Sequence, residues 1–295
     1  MSLLVPSLGF GLVTASILAV AAVGFTLQFG VTNILNLAYG DVMTASAFVA
    51  YLITKHGVSI WVALAACALF GGVLSMLLNR CLYTPFVRHG TKLFGMIIVT
   101  IAVSLIIQNG LQAIWGSSFF SLSFSAGHSY HLSSMVFTTS QLAIMGIAVG
   151  AMAAVYALLR STKLGKAMRA TAADPALARS CGIATDRVID VAWLLSGALC
   201  GIAGVALAMN VASFTSTTGG TFLIAIVAAA VLGGVGQPYG AMLGAIAIGV
   251  SSEVAAGVIA PSYKQIVAFI VLVLVLLARP QGIFSEVATQ KEVVA

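Results

Sequence analysis

Leu27-Gln28-Phe29-Gly30-Val31-Thr32-Asn33-Ile34-Leu35-Asn36-Leu37-Ala38-Tyr39-Gly40-Asp41 interrupts an otherwise apolar N-terminal region. Apolar runs long enough to cross a bilayer flank and overlap it, at about 7–28 and 32–53. Gln28, Thr32, Asn33, Asn36 and Asp41 therefore fall at membrane depth or close to it. Amides and glycines clustered in this way predict a broken helix, which lipid tolerates only where the backbone is buried in protein or lines a cavity. Gln28, Asn33, Asn36, Tyr39 and Asp41 are the candidate pathway residues of this segment. Asp41 also stands where it can N-cap the helix that follows. A capping role and a functional role both stay open, because carboxylates inside membranes are usually functional.

The rest of the chain explains why membrane depth is the right frame. Of 295 residues, 61% are hydrophobic and only 20 are charged, 13 basic and 7 acidic. A soluble domain carries roughly a quarter of its residues as Asp, Glu, Lys or Arg. With a mean hydropathy of +1.13, neither a water-soluble surface nor intrinsic disorder is available. At about 20 residues per crossing, the chain is an all-α, polytopic transmembrane bundle with about 8–9 spans and one or more broken or re-entrant helices. The net charge of +6 and pI of 9.3 match basic cytoplasmic loops. No nucleic-acid partner is expected, since basic and aromatic residues are not interleaved.

Apolar runs fall at about 7–28, 32–53, 59–79, 93–113, 139–159, 191–212, 221–236, 239–259 and 263–278, the seventh and ninth being short. Placing 80–92 and 160–190 in the cytoplasm puts nine of the 13 basic residues inside. Alternation adds Arg279 and Lys291, leaving only Lys55 and Lys264 outside. With nine spans the N-terminus is outside and the C-terminus cytoplasmic. Trp61, Trp115 and Trp193 fall at expected helix ends, where an indole suits the headgroup region. The polar segment 116–140 becomes an external loop. Its N-terminal MSLLVPSLGF has no basic n-region, so the first apolar run is expected to be retained as a span.

Several patterns carry structure rather than chemistry. Cys67, Cys81, Cys181 and Cys200 show no paired spacing, and Cys67 and Cys200 read as small buried side chains. Glycines at 236, 240 and 244, and at 197 and 201, repeat every four residues and predict close helix packing. Tyr239-Gly240 repeats the Tyr39-Gly40 pair and hints at internal duplication. His128 and His131 lack a third ligand, so a polar loop is the better reading. Gly165-Lys166-Ala167 is not a phosphate-binding loop, and Leu195-Ser196-Gly197-Ala198 lies inside an apolar helix. No metal, cofactor or nucleotide site of its own, and no catalytic constellation, is expected. Glu253 lies about 14 residues into its span, roughly 20 Å at 1.5 Å per residue. It is the remaining pathway candidate, with pairing to another helix as its alternative.

The one extended polar stretch, Arg160 to Asp190, holds six basic and three acidic residues. Asp174 is a good N-cap with Pro175 at the first helical position, and Gly182 is a good stop. They predict an amphipathic helix about two turns long, either a capped connector or a docking helix for a soluble partner. Gly165-Lys166-Ala167-Met168-Arg169-Ala170, Asp174, Ala178, Gly182-Ile183 and Thr185-Asp186-Arg187-Val188 resemble the coupling loop of branched-chain amino-acid ABC importer permeases of the LivH type. Asn36-Leu37-Ala38-Tyr39-Gly40-Asp41 is similar to that family's Asn-Phe-Ala-His-Gly-Glu motif, departing from it at Leu37, Tyr39 and Asp41. Leu232-Gly233-Gly234-Val235-Gly236 and Pro280-x-Gly282-Ile283 match its C-terminal pattern. The likeness runs from about Gly24 to Phe284.

The resemblance implies a single permease domain over 1–295 with a cytoplasmic coupling loop at 160–190, in a bacterial inner membrane. It implies a second, LivM-like permease subunit, two cytoplasmic ATPases that bind the ATP, a periplasmic solute-binding protein and surrounding membrane lipid. Gly165, Arg169, Asp174, Ala178, Gly182 and Arg187 are the implied ATPase-coupling residues. Branched-chain or other hydrophobic amino acids are the expected solutes, with urea or short amides as an alternative. A different class, an ion-coupled secondary transporter or channel, would use Asp41 and Glu253 as coupling groups.

Overall fold

The computed structural model describes residues 4–122, 129–132, 135–211, 213–258, 260 and 263–278. His128, Arg279, the Pro280-x-Gly282-Ile283 motif and Lys291 lie outside the described residues. Each of the nine apolar runs becomes a helix. Leu4–Thr32 (α1) and Tyr39–Lys55 (α2) are followed by Ile60–Leu78 (α3), which continues through a π-helical turn at Asn79–Tyr83 into Thr84–Arg88 (α4). Leu93–Trp115 (α5) leads to a hairpin of Ser129–Leu132 (β1) and Met135–Thr138 (β2), antiparallel with Ser129 opposite Thr138. The segment expected as a plain polar loop therefore contains a small hairpin, an addition to an otherwise helical fold.

Thr139–Ser161 (α6) starts from a capping box in which Thr138 and Gln141 satisfy each other's backbone amides. Lys163–Ala173 (α7) and Pro175–Ser180 (α8) precede Thr185–Asn210 (α9), Thr218–Gly233 (α10), Pro238–Val258 (α11) and Lys264–Ala278 (α12). Six helices are long and apolar enough to cross a bilayer: α1, α3 with α4, α5, α6, α9 and α11. The short ones are α2, α10 and α12, with 17, 16 and 15 residues.

The two central helices, α1 and α9, are the most buried of the six long apolar ones, and their membrane-depth turns are apolar nearly all round. They cross each other antiparallel: Gly24 of α1 lies against Ser196 and Leu199 of α9. Around them the fold repeats itself in reverse. Helices α1, α2, α3 and α5 correspond in order to α9, α10, α11 and α12, and each half sends its third helix onto the other half's first. Thus α3 packs antiparallel on α9, with Cys67 at Gly201 and Gly71 at Gly197, while α11 packs antiparallel on α1, with Gly249 at Ala15 and Gly236 at Gly30. On the pseudo-axis the N-termini of α2 and α10 meet where Gly40 touches Gly219. The glycine that meets Gly40 is Gly219. The Tyr239-Gly240 pair belongs to the α10–α11 hairpin, where Gly240 packs on Gly233.

Backbone contact at these crossings uses the small residues read from the sequence. A Cβ at Gly197 would overlap the Gly71 carbonyl and Ser75, and one at Gly219 would overlap the Gly40 carbonyl. In lipid no hydrophobic force drives helices together, so dispersion contact at such places holds the bundle. Trp193 departs from expectation. Because α9 begins at Thr185, two turns before it, the indole lies inside the bundle with no exposure, 5.1 Å from the Tyr83 ring centroid. Trp61 is 59% exposed at the start of α3. Overpacking at a crossing costs about 1–3 kcal/mol or more. Gly197→Val and Gly219→Val are expected to lower the melting temperature in detergent clearly, whereas Gly110→Val, at a glycine with open space around it, leaves it unchanged.

Candidate functional site

Helix α1 ends because Asn33 takes a left-handed backbone, φ 54°, which Asn tolerates better than most residues. Thr32 donates its hydroxyl to the Gln28 carbonyl at 2.7 Å and accepts from the Ile34 amide at 3.4 Å. Asn36 then closes the break: its Oδ1 accepts from the Ala38 amide at 3.1 Å and from the Tyr83 hydroxyl at 3.2 Å. The Asn36 amide reaches Gln28 Oε1 at 3.5 Å, and Ser196 Oγ donates to that same oxygen at 3.3 Å. Tyr39 turns back along α1, with its hydroxyl donating to the Ser196 carbonyl at 3.3 Å and its ring edge-on to Phe25. Gln28, Asn36 and Tyr39 thus converge on one buried polar network that joins α1, α2, the α3–α4 π turn and α9.

The depth of this break follows from its neighbours. The Tyr39 carbonyl accepts from Cys200 Sγ, and the Met43 carbonyl lies against Gly204. Helix α2 therefore starts level with the middle of α9. The other candidates stand apart from the network. Asn33 is exposed. Asp41 is 1% exposed and accepts a hydrogen bond from Ser104 of α5, with Gly220 of α10 beside it. Asp41 is not the N-cap of α2. That position belongs to Ala38, since Asn36 and the Asn36 carbonyl already organise the first turn two residues earlier. Glu253 lies at the opposite end from α7 and α8, where it accepts from Thr14 at 2.6 Å and pairs with Lys264.

Basic residues gather at one end of the bundle. There Asp174 caps α8, accepting from the amides of Ala176 and Leu177 at 2.8 and 3.0 Å, with Pro175 at its first position. Gly182, φ 83°, ends it: the Gly182 amide bonds the Arg179 carbonyl and the Ile183 amide bonds the Ala178 carbonyl. Leu177 is 62% exposed on this helix while Ala178 is buried beneath it. Arg179 ties α8 to α9 through Thr185 Oγ1 at 2.9 Å and Asp186 at 3.1 Å, and Arg88 of α4 approaches Asp186 at 3.9 Å. Gly165 is buried against the Leu158 and Leu159 carbonyls. Arg169 donates to the Leu159 carbonyl at 3.0 Å and lines a cavity of about 310 Å³ between α7, α1 and the α10–α11 turn. Arg187 is exposed near the start of α9.

Ser196, Tyr83, Ser104 and Trp193 enter the site without having been selected from the sequence. Ser196 and Ser104 were detectable in principle as hydroxyls within apolar spans. Tyr83 was masked by the basic cluster around it. The indole nitrogen of Trp193 and the Ser75 hydroxyl are the buried side-chain polar atoms left without a partner among the described residues.

A helical bundle with six helices long and apolar enough to cross a membrane, a helix broken within its thickness and a capped polar helix at its basic end is a polytopic membrane protein. The comparisons with known proteins place it further. Residues 7–276 match the family described as "Branched-chain amino acid transport system / permease component", and the chain belongs to that family. It is 30% identical to the high-affinity branched-chain amino acid transport system permease protein LivH of Escherichia coli (strain K12), over 95% of each chain. It is 29% identical to the corresponding BraD protein of Pseudomonas aeruginosa, again over 95% of each. The ribose import permease protein RbsC of Escherichia coli (strain K12) is 25% identical over 79% of this chain and 73% of its own. Among solved structures, PsaBC from Streptococcus pneumoniae in complex with Fab shares the fold, with a TM-score of 0.51, 14% identity and coverage of 92% and 91%.

Losing the Ser104 hydroxyl would leave the buried Asp41 carboxyl without its donor, a loss of about 1–3 kcal/mol. Ser104→Ala is therefore expected to destabilise the protein in chemical unfolding. In an Asp41→Asn background the same change should cost less, and a double-mutant cycle measures the difference.

Proposed function

We propose that the chain is a permease subunit of an ATP-driven, binding-protein-dependent importer of branched-chain or other hydrophobic amino acids in a bacterial inner membrane. The observation that carries this reading is the pair formed by family membership over nearly the whole chain and a short exposed helix, α8, built with a cap at each end and one exposed large apolar side chain, Leu177. Two cytoplasmic ATPases would bind the ATP, a LivM-like permease would complete the membrane core, and a periplasmic protein would deliver the solute.

In this reading the basic end faces the cytoplasm and α8 seats in a groove on an ATPase, with Leu177 as its apolar anchor. A push on α8 passes to α9 through Arg179, Thr185 and Asp186. Ten residues further along α9, roughly 15 Å, Ser196 contacts both Gln28 and Tyr39, so a displacement of α9 acts directly on the α1–α2 break. A contiguous chain of hydrogen bonds and one stiff helix is the physical form that coupling between distant sites takes. Arg169 has two parts here: it braces α7 against the end of α6 through the Leu159 carbonyl, and it stays exposed at the basic end.

The test is ATP-dependent uptake with the cognate ATPases and binding protein reconstituted in vesicles. Leu177→Asp and Gly182→Trp are expected to cut uptake at least tenfold and to weaken co-purification of the ATPases. Tyr83→Phe, which removes a contact to Asn36, should lower uptake while leaving ATPase co-purification intact. Unchanged assembly and uptake in Leu177→Asp and Gly182→Trp would remove the coupling role from α8. Uptake driven by a proton or sodium gradient without ATP would overturn the importer reading.

A further inference from the structure

At the end remote from α8, helices α1, α9, α10, α11 and α12 enclose a cavity of about 200 Å³. At roughly 30 Å³ per water, that is the room of six or seven waters, enough for one small solute and too little for a drug-sized ligand. Its lining is mainly apolar, with Ile17, Leu18, Leu207 and Phe222 in the apolar wall, and polar groups reach it from Thr14, Asn210, Thr218, Thr221, Ser252, Lys264 and Gln265. The apolar wall is deep, Ile17 and Leu18 being 1% exposed, while Thr221 and Gln265 mark the open side between α10 and α12.

The polar groups have donors and acceptors to spare. Glu253 fixes Lys264 from behind and is itself held by Thr14. That pairing engages one face of an ammonium that has three donors. The side-chain amides of Asn210 and Gln265 have no hydrogen-bond partner among the described residues, although both line the cavity. The same pairing argues against Glu253 as an ion-coupling group, because its charge is already neutralised by Lys264.

We infer that this cavity binds one zwitterionic α-amino acid with an apolar side chain. The ligand carboxylate accepts from the free donors of Lys264, and its ammonium donates to the Asn210 carbonyl oxygen and the neighbouring threonine hydroxyls. The side chain fills the wall of Ile17, Leu18, Leu207 and Phe222. This assignment rests on the reading of the chain as an amino-acid permease, and adds to it a solute site within this subunit. Lys264 and Asn210 are binding residues in this scheme, and Glu253 and Thr14 are positioning residues.

The importer complex in proteoliposomes supports two separate measurements: binding of radiolabelled L-leucine without binding protein or ATP, and uptake with both. Lys264→Ala and Asn210→Ala are each expected to weaken leucine binding about tenfold or more, and Lys264→Arg to retain most of it. Ala268→Phe, which fills the cavity, should abolish binding. L-Leucinamide, lacking the carboxylate, should compete at least tenfold less well than L-leucine. If Lys264→Ala fails to assemble, Asn210→Ala and Ala268→Phe carry the test. Leucine binding that is indifferent to Ala268→Phe and Asn210→Ala would overturn the site. So would a lack of binding in a complex that imports leucine, and in that case the proposed function stands. A complex that imports no apolar amino acid would overturn the proposed function, and the ligand assigned to this cavity with it.

Discussion

Inside a bilayer an unsatisfied backbone amide or carbonyl costs several kcal/mol, because no water is present to bond it. The stretch from Asn33 to Ala38 leaves the helix within the thickness of the bundle, so its polar groups must be met by protein. Side chains do this at two amides, Thr32 for Ile34 and Asn36 for Ala38, with Gln28 and Tyr83 holding Asn36 and Ser196 holding Gln28. Those partners come from distant parts of the chain. Helix α9 must therefore be seated on α1, and α3 on α9, before the break is tolerable, and the small residues at those crossings are what allow that approach.

The inverted repeat gives this arrangement its shape. Two short helices, α2 and α10, begin side by side at depth, and two long ones, α1 and α9, run past them in opposite directions. Each short helix needs only part of the membrane thickness because its N-terminus is covered by the other's. The Asp41 carboxyl lies at this junction, close to the N-termini of both, where helix dipoles favour negative charge. Interactions of this kind bind the halves together while leaving the two ends of the molecule chemically distinct: a basic end with α7 and α8, and an opposite end where Glu253 pairs with Lys264.

Much of this was legible in the chain itself. Charge scarcity located the helices, since each apolar run became one, and the signals at Asp174, Pro175 and Gly182 placed α8 to within a residue. Such features are local: a helix cap or an apolar run depends on neighbours in sequence. Trp193 and Asp41 were misplaced for the opposite reason. The indole was assigned to an interface because α9 was expected to begin later. Asp41 was offered a cap because Asn36, which acts through a turn and a tertiary bond to Tyr83, carries no local mark of that role.

The sequence by itself determined that this is a membrane bundle, where its helices lie, that the first hydrophobic region is broken, and which polar stretch carries a capped helix. Hydropathy and capping are properties of short segments and survive without any tertiary information. Only the tertiary structure decided that Gly40 pairs with Gly219, that Gln28, Asn36, Tyr39 and Ser196 meet, and that Glu253 is engaged with Lys264. Those are contacts between residues far apart in the chain. In lipid they are selected by steric fit and the need to satisfy buried polar groups, neither of which leaves a periodic trace in the sequence.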